Sequence, residues 1–143
     1  GQVRETQLAR LTAMQCRTAG LQFQLLGVTN ERGKLALGLR VKGELQLICQ
    51  RCLQPLLLPL DLESELELSS SLAEIEAAED DVDRVLAARD MDVVALVEDE
   101  AILALPMIPR HERCEAMPGV VADQKKGPSP FEALAVLKQR PRR

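Results

Sequence analysis

The chain has 143 residues, a formal net charge of −4 and 46 % hydrophobic residues, with two Phe and no Trp or Tyr. That length suits one domain whose core must be built from Leu, Val, Ile and Ala. No apolar run approaches bilayer-spanning length, and four cysteines are too few for a disulfide scaffold, so a reducing cytoplasm and no membrane partner are expected.

Charge is segregated. Residues 1–60 carry 8 Lys/Arg against 3 Asp/Glu, residues 61–105 carry 2 against 15, and residues 106–143 carry 8 against 4. Basic ends could meet phosphates, whereas the acidic middle would be repelled by them. The chain opens on Gly1 with no signal peptide visible, as expected of a processed, truncated or tag-scarred product.

"QLARLTAMQ" places Leu8, Leu11 and Met14 at helical spacing, and Gly20 is expected to end any helix there. "LQFQLLGV" alternates as a short strand, and "TNERGK" reads as a turn with Gly33 free to take positive φ. Residues 35–49 put Leu35, Leu37, Leu39, Val41, Leu45, Leu47 and Cys49 on one face and Arg40, Lys42, Glu44 and Gln46 on the other. That is a half-buried strand in which Gly43 marks a bend or bulge.

Residues 56–68 alternate again, with Leu inward and Asp61, Glu63, Glu65 and Glu67 outward. The two strands are expected to pair as a hairpin. Setting Cys49 opposite Leu56 puts Lys42 across from Glu63 and Arg40 across from Glu65, each pair adding roughly 0.2–1 kcal/mol. The hairpin tip is then Gln50–Pro55, within "ICQRCLQP".

"SSSLAEIEAAEDD" reads as a solvated linker in preference to a weak helix, and "DRVLA" as a short strand. "DMDVVALVEDEAILALP" forms a helix capped by Asp90 or Asp92 that buries Val93, Leu96, Val97, Ala101 and Ala104 and is stopped by Pro106. Glu98, Asp99 and Glu100 are consecutive, so they spread around that helix as a solvated acidic face. "MPGVVADQKKGPSP" reads as an extended linker, "SPFEALAVLKQ" as a last helix capped by Ser129, and "KQRPRR" as a basic tail.

The architecture expected is α+β: a curved, mainly antiparallel sheet built on the long hairpin, with one or two packed helices. Residues 1–110 form a single domain, and residues 111–143 a C-terminal extension.

His111 is the single histidine, and the chain has neither a nucleophile elbow nor a Gly-rich phosphate loop, so an enzyme is the weaker class. The one constellation with a mechanism joins "CQRC" to "HERC". Cys49, Cys52, His111 and Cys114 supply three thiolates and an imidazole, a set that tetrahedral zinc takes. The pairs stand 58 residues apart, so the fold must bring them together. Free thiols packed at the hairpin tip, or a redox pair or disulfide, are the alternatives. Cys16 reads as a small buried residue.

With few aromatics to stack on bases, any RNA contact should run through phosphates. The candidates are Arg40, Lys42, Arg51, Arg110, Lys125, Lys126, Arg140, Arg142 and Arg143. The acidic Glu98, Asp99 and Glu100 better suit a basic protein partner, such as a ribosomal protein or an RNA-bound factor.

"CQRCLQPL", "DVVALVEDEAILALPMIPRHERC" and "PSPFEALAVLK", in that order and spacing, resemble the YceD family of large ribosomal RNA subunit accumulation proteins. The likeness covers residues from about 35 to 138. It implies a non-enzymatic factor needed for 23S rRNA accumulation in bacteria and plastids, acting in large-subunit assembly. It also implies a further N-terminal segment ahead of the matched region. The family's motif positions fall on Cys49, Arg51, Cys52, Glu98, Asp99, Glu100, Pro106, His111, Cys114, Pro130 and Phe131.

Overall fold

Alternation of Leu with charged residues produces the two longest strands of one five-stranded sheet. A computed structural model describes residues 1–114. The linker, last helix and tail expected beyond "HERC", with Lys125, Lys126, Arg140, Arg142 and Arg143, lie outside the described residues. Strands β1 (Gln2–Val3), β2 (Arg17–Thr29), β3 (Leu35–Ile48), β4 (Pro55–Ser69) and β5 (Arg84–Leu86) lie side by side in chain order. All neighbours are antiparallel except β4 and β5, which are parallel. The α+β expectation holds.

The hairpin forms, but in a different register. Lys42 stands opposite Asp61 and Arg40 opposite Glu63, two residues from the expected pairing. A two-residue slip keeps every side chain on its face, so the apolar pattern alone cannot detect it. The turn decides. The Cys49 N–H donates to the Gln54 carbonyl at 2.9 Å, and the Leu53 N–H to the Cys49 carbonyl at 2.9 Å, which closes the tip around Gln50–Leu53. Leu53 takes φ 58 to make that turn. Outward charges still pair across strands: Asp61 accepts Lys42 at 2.8 Å and lies 3.6 Å from Arg40.

Strand β2 is longer than its alternation suggested, because it continues through an irregularity between Thr18 and Leu21. Gly20 lies inside β2 at φ 134 and ends no helix. Gly43 stands opposite Leu21 beside this irregularity. A Cβ there would sit 2.6 Å from a Leu21 methyl and 3.1 Å from the Gly20 carbonyl. The bulge marked by Gly43 therefore belongs to the partner strand.

Helices α1 (Ala9–Ala13) and α3 (Val93–Leu103) contribute to one core with the sheet. Leu8, Leu11, Leu96, Val97 and Ala101 join Leu21, Leu39, Val41, Leu45, Leu47, Leu60 and Leu66 there. Each fully buried Leu contributes about 1.5–3 kcal/mol, so aliphatic side chains alone suffice for a core. Asp92 caps α3, accepting from the Val94 and Ala95 N–H groups at 2.9 and 3.0 Å. Ala104, expected inside, is exposed, and Glu98, expected in solvent, is buried.

Glu98 is buried because α1 needs it. No side chain of α1's own cap bonds to the helix start. The Glu98 carboxylate instead accepts the Arg10 N–H at 2.8 Å, the Leu11 N–H at 3.1 Å and the Arg10 Nε at 3.0 Å. A carboxylate 88 residues away thus serves as the helix cap. Asp99 pairs with the same arginine, and Glu100 accepts the Ser64 hydroxyl from β4.

The Ser-rich acidic stretch is also structured. Ser71 caps the short helix α2 (Leu72–Glu76), accepting the Glu74 N–H at 3.2 Å. Beyond it, Asp80 and the buried Glu67 share Arg32 and Arg84, with Arg32 at 2.8 Å from Asp80 and 2.6 Å from Glu67. Of the acids expected to be solvated in this stretch, Asp80 is tied to two guanidinium groups.

Candidate metal centre

Strand β3 runs out at Ile48 and delivers Cys49 to the sheet's core-facing side, where it is fully buried. The tight turn that follows brings Cys52 around beside it. The segment after α3 returns to this tip: the Gln50 N–H donates to the Pro109 carbonyl at 2.8 Å. That bond carries His111 and Cys114 to the two cysteines. Ligand atoms of Cys49, Cys52, His111 and Cys114 all lie within 4.8 Å of one another.

The spacing fits a tetrahedral ion. Cys49 Sγ is 3.8 Å from Cys114 Sγ, and Cys52 Sγ is 3.4 Å from His111 Nδ1. Bonds of about 2.3 Å to sulfur and about 2.0–2.1 Å to nitrogen give tetrahedron edges of roughly 3.8 Å for S···S and roughly 3.6 Å for S···N. All four cysteines of the described residues are free thiols.

The surroundings orient the donors. His111 Nε2 lies 3.0 Å from the Pro55 carbonyl, which can only accept, so Nε2 carries the ring proton and Nδ1 turns its lone pair toward the sulfurs. Burial alone would raise the Cys49 thiol. The backbone N–H groups of Cys52, His111 and Arg51, and the Cys52 side chain, outweigh it and bring Cys49 down to about 5. Cys114 is pushed the other way, by burial and by the sulfurs of Cys49 and Cys52. One sulfur is therefore held as a thiolate while a neighbour resists becoming one. A dication among them would remove that conflict and release the remaining protons. The residues fit zinc. Bound there, it would supply structural cross-linking of the hairpin tip to the segment behind α3.

The other predicted residues scatter. Arg40 and Lys42 lie on the sheet's outward face, engaged with Asp61. Arg51 sits between the two cysteines and Arg110 next to His111, both exposed. Glu98 is 5 % exposed and capped onto α1, so the acidic triplet is not a single surface. Three contributors escaped notice. The Pro55 and Pro109 carbonyls are main-chain groups with no side-chain signature. Arg113 was legible, since it directly precedes a candidate ligand in "RHERC".

The family profile of the large ribosomal RNA subunit accumulation protein YceD matches residues 37–138. The chain belongs to the YceD family. The match spans the hairpin, α3 and all four candidate ligands. A curated relative, the large ribosomal RNA subunit accumulation protein YceD of Haemophilus influenzae, is 35 % identical over 115 residues. That alignment covers 71 % of this chain and 64 % of the relative, so the chain spans somewhat under two thirds of the length of this family member. No solved structure matches the chain. The family is named as an accumulation factor for large-subunit RNA, not as an enzyme. Among the described residues, no helix is long and apolar enough to cross a membrane.

Proposed function

We propose that this chain is a non-enzymatic ribosome-biogenesis factor that promotes 23S rRNA accumulation and assembly of the large subunit by binding. Its partner would be ribosomal RNA, a large-subunit ribosomal protein or an assembly factor, in the cytoplasm. The observation that carries this reading is the family match across residues 37–138, which includes every motif of the hairpin tip and α3. In this reading Cys49, Cys52, His111 and Cys114 hold one zinc ion that fixes the tip as a docking element.

A thiol-redox protein using Cys49 and Cys52 draws on the low value of Cys49. The Cys49 sulfur is buried, however, so a substrate disulfide has no route to it. Backbone donors converging on a buried thiolate suit a ligand better than a nucleophile.

The test is complementation. In bacteria depleted of their own family member, expression of this chain should restore the level of 23S rRNA relative to 16S rRNA. Unchanged depletion despite normal protein levels would sink the assembly role. Elemental analysis should find about one zinc per purified chain, lost in Cys49→Ser. Metal-free protein of undiminished stability would remove the zinc.

A further inference from the structure

We infer that the exposed arginines around the hairpin tip, Arg51, Arg110 and Arg113, form a phosphate-binding patch that grips a single-stranded segment of ribosomal RNA. This deepens the assembly role proposed above and rests on it.

The basic side chains of the described residues fall into two groups. Arg10, Arg32, Arg40, Lys42 and Arg84 each lie within ion-pair distance of an Asp or Glu. A phosphate reaching them would have to displace a carboxylate. The open sheet face, where Arg40 and Lys42 share Asp61, is therefore a poor anion site.

The second group has no carboxylate partner among the described residues. Four of its members are dispersed: Arg4 near the start, Arg17 opening β2, Lys34 in the β2–β3 turn and Arg89 ahead of α3. The remaining three are gathered. Arg51 directly precedes Cys52, Arg110 directly precedes His111 and Arg113 directly precedes Cys114. Ligand atoms of those neighbours lie within 4.8 Å of one another, and all three arginines are exposed. Arg51 reaches across the tip, its guanidinium 3.4 Å from the Cys114 carbonyl. The Gln50–Pro109 backbone bond holds the two arginine-bearing loops together. Among the described residues of these loops, Glu112 is the one acid.

The chemistry selects a polyanion with accessible bases. A guanidinium offers a planar fork that matches a phosphate. Leu53 and Ile108, each 57 % exposed, lie beside Arg51 and Arg110 in sequence and offer apolar surface to unstacked bases or riboses. With no Phe, Tyr or Trp in either loop and His111 turned to the sulfurs and the Pro55 carbonyl, binding rests on charge and tolerates any sequence.

The test measures the full chain binding a short unstructured RNA across a salt series by fluorescence anisotropy. Each phosphate contact on a single strand contributes about 0.7 to the slope of log K against log salt. Arg51→Ala/Arg110→Ala/Arg113→Ala should therefore flatten the slope by about 2. Arg4→Ala/Arg17→Ala/Lys34→Ala removes the same charge and should leave the slope unchanged. Both triples should keep the wild-type thermal midpoint and metal content. An unchanged slope in the tip triple overturns the inference, as does equal flattening in both. Loss of a large-subunit protein from the tip triple, with RNA binding intact, overturns it in favour of a protein ligand. Wild-type chain that restores 23S rRNA yet fails this comparison leaves the assembly role standing. Wild-type chain that does not restore 23S rRNA removes that role and the inference with it.

Discussion

Glu98 shows how one side chain can be misjudged from its neighbours in sequence. In "VEDE" it reads as one acid of a solvated run, yet it closes the start of α1. Burial alone would raise its carboxyl. The N–H groups of Leu11 and Arg10 and the Arg10 guanidinium outweigh that and hold it below the usual carboxylate range. Its stabilising effect is therefore complete above the unfolded carboxyl's pKa of about 4.3 and fades as pH falls through the lower folded value. Glu98→Ala should cost about 2 kcal/mol at neutral pH, the cost of a lost cap and charged hydrogen bonds. Glu98→Gln cannot titrate. In urea unfolding, its deficit relative to the wild type should be largest at neutral pH and shrink under acid. A deficit that does not change with pH would mean that the ionised carboxylate is not what caps α1.

At the scale of elements, the β3–β4 hairpin was readable because period-two alternation and outward charge agree. Its register was not, because a slip of two residues preserves both signals. The pairing followed from the turn, where Leu53 accepts a left-handed conformation that nothing in its residue type announces. Gly43 was readable as an irregularity, but its cause lies in the other strand. Leu21, whose methyl would meet a new Cβ, is fully buried and has no free space to move into. Gly43→Ala should accordingly lose about 1–3 kcal/mol in urea unfolding, the usual cost of overpacking. A neutral substitution would show that β2 relaxes there. The short helix α2 ranked below a linker in the sequence for a related reason. Its five residues carry little intrinsic helicity, and what holds the stretch is the Ser71 cap together with Arg32 and Arg84 on Asp80.

For the whole molecule, much of the charge segregation is internal bookkeeping. Acids at 61, 67, 80, 98 and 99 pair with basic residues from distant segments, leaving the tip arginines as the gathered cations of the described residues. The segment from Pro109 to Cys114 is tied to that tip by one backbone bond and by the four candidate ligands. With zinc held there as proposed, chelating it should free this segment without unfolding the sheet. Hydrogen exchange should then quicken at the Gln50 and Leu53 amides and stay slow at Val41, in the middle of the core. Uniform loss of protection would make the metal a requirement of the entire fold.

Sequence by itself determined the strand faces, the hairpin, a capping Asp at the start of α3 and the four candidate ligands. Each is a local pattern, written in neighbouring residues by periodicity, turn chemistry or donor type. Tertiary structure alone decided the register, the role of Glu98, the partners of the acidic stretch and the convergence of two ligand pairs 58 residues apart. Those depend on which groups become neighbours when the chain closes on itself, and such neighbours leave no repeating mark along a single sequence.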